Sequence, residues 1–140
     1  MAAAKYGTPV AGSALTLSSV NSLANGSASG LMTFDNSSGK HVYATVAIVL
    51  GSITTAAGAS ISLVQYTTQG ATAPSDLGAV GGGNVTVIPL PTGTGTKTLI
   101  PVVQLMAPES LRFQLINNAG VALASSGNSI TVSTFSEDVT

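Results

Sequence analysis

The sequence predicts an all-β fold, a single-domain two-sheet sandwich of jelly-roll-like type with an extended N-terminal arm. Three observations lead to this prediction: short apolar runs alternate with a period of two, turn-forming residues separate them, and no window of a dozen residues carries a 3.6-residue apolar stripe. The 140 residues are 44% hydrophobic, which is enough for one domain with one core. Eight or nine short strands at this length are typical of a sandwich or jelly roll.

The predicted strands follow one another along the chain, and the strongest, at residues 41–50, is apolar on both faces. They fall at residues 15–20, 31–34, 41–50, 61–66, 85–89, 99–105, 111–116, 121–124 and 130–135. Pro101 interrupts one run, which predicts an edge strand or a bulge because proline cannot donate to a sheet ladder. A helical turn is compatible with the pattern only near residues 73–77.

Turn signals separate the predicted strands, and they lie at residues 25–26, 35–39, 81–84, 91–95 and 117–120. Residues 1–12 contain too little apolar area to fold alone, so we predict an extended arm there and a β-sandwich domain over residues 13–140. Such an arm is more often frayed than ordered by a neighbouring subunit.

The charge content limits the classes of partner. Only 6% of the residues are charged, against about 25% in an ordinary domain. A surface of hydroxyls and amides repels its neighbours little, which favours a protein that sits in an array. The four cations do not cluster as nucleic-acid binding requires; they are Lys5, Lys40, Lys97 and Arg112. We therefore expect no nucleic-acid partner.

Disulfide, thiolate and membrane-spanning roles are also disfavoured. The chain has no cysteine, which excludes disulfides and cysteine-based metal sites. The longest apolar stretch, residues 42–50, is too short to cross a bilayer, and residues 1–12 do not resemble a signal peptide. The expectation is a soluble protein with no membrane partner.

Catalytic motifs are weak. A relay through His41, the only histidine, would need Asp35 and a serine, but the Gly-x-Ser-x-Gly turn has Ala28 at its centre. The segment around Lys97 lacks the glycine that precedes the lysine of a phosphate-binding loop, so a hairpin loop is favoured at residues 93–98. His41 is expected to be an ordinary strand-edge residue.

Metal and cofactor sites are equally weakly indicated. Residues 35–39 offer one carboxylate, which favours an Asp/Asn turn over a calcium site. The glycine run at residues 81–83 lacks the context of a dinucleotide loop, and Glu137 and Asp138 are expected to be solvated in a terminal tail. We expect no enzymatic activity, no metal and no cofactor.

Residues 115–129, with the sequence LINNAGVALASSGNS, resemble a recurring pattern in small structural proteins of tailed-phage virions. In that pattern an amide-rich turn and a glycine precede an Ala-Leu-Ser-type strand and a Ser-Gly-Asn-Ser turn. Residues 17–28 and 35–38 are similar in style to the front half of those proteins, whereas residues 69–98 depart from them. The resemblance implies a virion structural role, of the head decoration or cement type, and it supplies no catalytic residues.

A decoration protein would lie on the outer surface of the capsid, with the major capsid protein as its partner, and would bridge neighbouring capsomers. We expect it to form a homotrimer or homodimer and to grip a neighbour through the arm, with Lys5, Tyr6 and Pro9 as the contact residues. Unchanged binding after deletion of residues 1–12 would contradict this expectation.

Three other functions remain open. The chain could be a tail, neck or fibre component, which would be present in few copies per particle. It could be a carbohydrate-binding or surface adhesion module, although it lacks tryptophan and its three tyrosines, Tyr6, Tyr43 and Tyr66, form no obvious platform in the sequence. A pilus-like surface subunit is disfavoured because no persuasive signal peptide is present.

Overall fold

A computed structural model describes residues 4–67 and 83–139, and all of the regular structure in these two ranges is β-strand. The strands are β1 (Ala4–Tyr6), β2 (Ser13–Ala14), β3 (Met32–Asp35), β4 (Tyr43–Thr55), β5 (Ser60–Tyr66), β6 (Gly83–Pro89), β7 (Gly93–Leu99), β8 (Val102–Gln104), β9 (Ser110–Asn118), β10 (Ser129–Phe135) and β11 (Glu137–Val139). The helical turn considered at residues 73–77, and most of the glycine run at residues 81–83, lie outside the described residues.

Nine of these strands form two antiparallel sheets that pack face to face, and β1 pairs with β11 in a separate two-stranded sheet. The first sheet has the order β2-β10-β4-β7, and β8 follows β7 along the same edge of β4. The second sheet has the order β3-β9-β5-β6. Apart from β5 and β6, which are consecutive, neighbours in each sheet are distant in sequence, as in the two interleaved Greek keys of a jelly roll. The predicted all-β, two-sheet sandwich is therefore confirmed.

The core lies between the sheets and follows the alternation of the strands. In β4, every second residue from Ala44 to Leu50 is fully buried, while the residues between them are half-buried on the outward face. The facing strand β9 contributes Leu111, Phe113 and Leu115, all fully buried. Burial of side chains this large contributes about 1.5–3 kcal/mol each relative to exposure, so the central strands of each sheet dominate stability.

Two predicted strands are absent from the structure, although their apolar residues are buried as expected. Residues 15–20 and 121–124 are irregular, yet Leu15, Val20 and Leu123 belong to the core. A positive φ angle of 53° at Ser19 breaks the extended conformation of the first segment, and a second, of 59°, follows at Ser22. The second segment is held by single bonds, such as the Leu123 N–H to the Leu23 carbonyl at 2.9 Å. Both segments therefore bury apolar side chains without forming the regular sheet hydrogen bonds of a strand.

The register of β4 against β7 shifts between Leu50 and Ile53. Gly51 lies at this bulge, and its N–H donates to the Oδ1 of Asn128 at 2.9 Å. A Cβ at position 51 would collide with the carbonyl oxygen of Ser126. The bulge therefore brings a backbone loop so close to β4 that only glycine fits.

The edge formed by β7 and β8 shows the break predicted at Pro101. The two strands are separated by residues 100–101, where the Pro101 carbonyl accepts a hydrogen bond from the Val46 N–H at 2.9 Å. The hairpin loop expected at residues 93–98 is instead strand β7 itself. Lys97 is buried in this strand, and its Nζ donates to the Gly93 carbonyl at 2.7 Å.

Candidate binding surface

Residues 4–12 of the N-terminal arm lie along the C-terminal strands of their own chain, and residues 1–3 of the predicted arm lie outside the described residues. Strand β1 pairs antiparallel with β11, and β2 pairs with β10. Between them the Gly7 N–H donates to the Ser136 carbonyl at 2.7 Å, and the Val10 N–H donates to the Thr134 carbonyl at 2.8 Å. From the sequence, the arm was expected either to be frayed or to be ordered by a neighbouring subunit. In the structure it is instead paired with strands of its own chain. Glu137 and Asp138, expected in a solvated tail, belong to β11.

The arm places an exposed tyrosine beside two other aromatic rings. Tyr6 is 74% exposed, and its ring centroid lies 5.6 Å from that of Phe135 in an edge-to-face arrangement. Phe135 stacks on Tyr43 with centroids 5.5 Å apart, because these residues lie opposite each other in β10 and β4. Tyr6 and Tyr43 therefore belong to one ring cluster with Phe135, a grouping that the sequence did not indicate, whereas Tyr66 lies on the second sheet.

These three rings and the arm form the candidate binding surface, which we call the arm surface. Beside the rings is an open cleft of about 270 Å³, and its lining residues are Tyr6, Gly7, Pro9, Thr45, Ser133 and Phe135. The cleft has aromatic and proline carbons for apolar contact and the hydroxyls of Tyr6, Thr45 and Ser133 for hydrogen bonds, and no charged side chain is among its lining residues. The predicted contact residues Tyr6 and Pro9 thus line one cleft, and Lys5 is exposed beside them in β1.

His41 contacts a serine, but Asp35, the carboxylate considered for a catalytic relay, is bonded elsewhere. His41 Nδ1 lies 3.2 Å from Ser136 Oγ, which also accepts the Val42 N–H at 3.3 Å. Asp35 and His41 both line a second cleft of about 200 Å³. The Asp35 carboxylate accepts hydrogen bonds from the Ser37 hydroxyl at 2.6 Å and the Ser37 N–H at 2.9 Å, and these bonds hold the pKa of Asp35 below its ordinary value. His41 and Asp35 thus have separate partners.

The amide of Asn36 closes the loop that was considered as a calcium site. Its Oδ1 accepts the His41 N–H at 2.9 Å, and its Nδ2 donates to the carbonyls of His41 and Ala107. These bonds fit the Asp/Asn turn predicted from the sequence, because the side-chain oxygen is used by the chain itself. Within residues 4–67 and 83–139, no three His, Cys, Asp or Glu side chains cluster as a metal site would require.

The outward face of the second sheet carries a buried phenol. Tyr66 and Val64 are buried there with Leu31 and Ile116 packed against them. The Tyr66 hydroxyl donates a long hydrogen bond of 3.4 Å to the Gln114 Oε1. Burial raises the pKa of the Tyr66 hydroxyl, because removal from water disfavours the phenolate.

We expect Tyr66 to make stability fall at alkaline pH. The unfolded chain would release the Tyr66 proton near pH 10, whereas the folded chain keeps it to a higher pH. The native state then binds more protons, so this contribution is complete below about pH 10 and is lost as the pH rises further. Urea unfolding should show that the free energy of unfolding falls less between about pH 8 and about pH 10.5 in Tyr66→Phe than in the unmodified chain. In Tyr6→Phe, where the phenol is exposed, the loss should be unchanged; equal behaviour of the two variants would contradict the prediction.

No helix that could cross a membrane occurs among the residues that the structure describes. Comparisons with protein-family models, with curated proteins and with solved structures give no match to this chain.

Proposed function

We propose that this protein is a non-enzymatic virion structural protein that binds the outer surface of a tailed-phage capsid and bridges neighbouring capsomers. Its partners would be the major capsid protein and further copies of itself, as a homotrimer or homodimer. The observation that carries the proposal is the arm surface: main-chain hydrogen bonds hold the arm on a sheet edge, and Tyr6 stands 74% exposed beside Phe135.

The chemistry of the arm surface is suited to a protein partner. Aromatic residues supply large contact area at a small entropic cost and dominate the energetics of many interfaces. The cleft beside Tyr6 and Pro9 has no charged lining, so a partner can approach without desolvating ions. A partner strand could also use the outer edge of the arm, because strand addition needs only main-chain groups.

The rest of the molecule is compatible with dense packing on a particle. With only 6% charged residues, neighbouring copies repel one another weakly. Jelly rolls occur in viral capsid proteins and in lectins. Because one fold can have unrelated functions, the fold is compatible with a capsid role, and the proposal depends on the arm surface. Weak contacts become effective when several copies are linked, as in an oligomer that spans capsomers.

The experiment is to measure the copy number of this chain in purified particles from its source, by calibrated mass spectrometry against the major coat protein. A ratio approaching one copy per coat subunit is expected for head decoration. A handful of copies would indicate a tail, neck or fibre component instead. Absence of the chain from particles would overturn the virion assignment.

A carbohydrate-binding or adhesion module is the second candidate, and the ring cluster favours it. Sugars stack on exposed aromatic faces and hydrogen-bond to nearby hydroxyls. Tyr6 and Phe135 lie beside Thr45 and Ser133 in one cleft. Binding of free glycans that is lost in Tyr6→Ala, measured with no particles present, would favour this candidate over decoration.

A further inference from the structure

Strand β6 (Gly83–Pro89) forms an edge of the second sheet. It pairs along its whole length with β5, without a bulge, and no described strand lies on its other side. Its seven residues, GNVTVIP, contain no charge. Sheet edges in soluble proteins are usually protected by lysines, bulges or irregular geometry, because an open ladder pairs readily with another strand.

The direction of each backbone group in β6 follows from one hydrogen bond. The Leu90 N–H donates to the Ala59 carbonyl at 2.9 Å, so this opposed pair is of the hydrogen-bonded type. Because hydrogen-bonded and non-hydrogen-bonded pairs alternate in an antiparallel ladder, Asn84, Thr86 and Ile88 point their N–H and C=O groups toward β5. The groups of Val85 and Val87 therefore point away from the sheet.

The C-terminal end of β6 agrees with this orientation. Pro89 lies opposite Ser60 at a non-hydrogen-bonded position, where its missing N–H costs the ladder nothing. The outward backbone groups are therefore both groups of Val85 and Val87, the N–H and C=O of Gly83, and the C=O of Pro89. These groups form a regular row of hydrogen-bond donors and acceptors along the open edge, and the Pro89 carbonyl ends it.

The exposed side chains of β6 lie on the outward face of the sheet. Val85 is 56% exposed and Val87 is 63% exposed, although both are large apolar residues. Val85 lies opposite Val64, whose side chain is buried on the same outward face. An uncharged edge flanked by exposed valines is suited to a strand of the same composition.

We propose that two copies of this protein associate through β6, antiparallel about a two-fold axis that passes near Thr86. Val85 of one copy then lies opposite Val87 of the other, and their outward groups form four main-chain hydrogen bonds. The Gly83 N–H of each copy can donate to the Pro89 carbonyl of the other. The four valines meet on one face, and no like charges are brought together because β6 has none.

The outward backbone groups and the positions of the two valines together select this register over its neighbours. If the axis passes through Val87, the outward groups of Val85 lie opposite Pro89, which has no N–H to return. If the axis passes through Val85, as many main-chain hydrogen bonds form, but Val87 lies opposite Gly83 and loses its apolar partner. Only the register centred on Thr86 pairs every outward donor and also places both valines of each copy opposite valines of the other, so the edge is self-complementary.

The dimer would leave the arm surface free, because the arm lies on an edge of the other sheet. It would create a continuous eight-stranded sheet across two copies. A paired strand with four valines is a small interface, so association should depend on concentration in the accessible range. The inference holds whether or not the protein binds capsids.

The test is sedimentation equilibrium of the purified full-length chain, with circular dichroism as a check of folding. The unmodified protein should be a reversible dimer. V85K/V87K should raise the dissociation constant by at least about tenfold, because the proposed register brings like charges directly opposite each other. V85K/V87E should restore association, since each introduced lysine then lies opposite an introduced glutamate of the other copy.

I100K/V102K is the matched control. Ile100 and Val102 are 60% and 62% exposed on the β7–β8 edge of the first sheet, so the same two charges are added to a different edge. This variant should dimerise like the unmodified chain. A monomeric unmodified protein, an unaffected V85K/V87K, or loss of association in I100K/V102K alone would overturn the β6 interface. Failure of V85K/V87E to recover would overturn the register.

Discussion

Asn117→Ala is expected to lower the free energy of unfolding by about 3 kcal/mol or more. The side chain is fully buried, and its Nδ2 donates to the carbonyls of Leu23 and Val121 at 2.9 and 2.8 Å. Its Oδ1 accepts the Ala119 N–H at 2.9 Å. Alanine would leave three backbone groups without this partner, at about 1–3 kcal/mol for each group that stays buried.

The matched control is Asn118→Ala, one residue further along β9. Asn118 is exposed, so its replacement should change stability by no more than about 0.5 kcal/mol. Urea unfolding of both variants, compared with the unmodified chain, measures the difference. Similar losses in the two variants would show that the buried amide is not what fastens residues 15–30 to residues 119–128.

The role of Asn117 also shows where sequence reasoning succeeds in this fold. Strands β5, β9 and β10 are predicted because their apolar residues alternate, and β4 because its run of β-branched and aromatic residues is apolar on both faces; both patterns are visible within a few residues. The bond from Asn117 to Leu23 joins residues 94 positions apart, and nothing local marks it. The sequence therefore shows that residues 15–20 and 121–124 are apolar, but it does not show that they are irregular and form no strand.

The resemblance to phage structural proteins rests on residues whose roles in this chain are structural. Asn117 fastens two core segments, and Asn128 accepts the Gly51 N–H while donating to Asn21 and to the Ala124 carbonyl. A turn pattern maintained by such bonds closes the loops of this chain. It does not by itself identify a partner, which is why the proposed function depends on the arm surface.

The candidate site was predicted only in part from the sequence. Lys5, Tyr6 and Pro9 could be nominated because an apolar-poor terminal arm stands out in composition. Phe135 and Tyr43 could not, since they meet Tyr6 only after β1 has paired with β11 and β10 with β4. Contacts between the two ends of a chain depend on the folded sheet and have no periodic signal.

Deletion of residues 1–12 should lower occupancy on particles by at least about tenfold, which corresponds to about 1.4 kcal/mol per site. The deletion removes Tyr6 and Pro9 from the arm surface. The fold should persist, because the first residue of the buried core is Leu15. Loss of the arm would cost some stability, since its backbone bonds to Ser136 and Thr134 disappear. Occupancy is measured by adding purified protein to particles that lack it and quantifying the bound fraction.

Two point variants separate the arm surface from a general effect of truncation. Tyr6→Ala should reproduce part of the loss while leaving the arm's backbone bonds in place. Ile100→Ser removes an apolar side chain of comparable exposure, 60%, from the opposite edge of the same sheet and should bind normally. If the truncated protein folds and occupies particles as fully as the unmodified chain, capsid binding does not use the arm, and another surface must carry it. If Tyr6→Ala and the truncation both fail while Ile100→Ser binds, the exposed ring beside Phe135 is the contact that joins the protein to the particle.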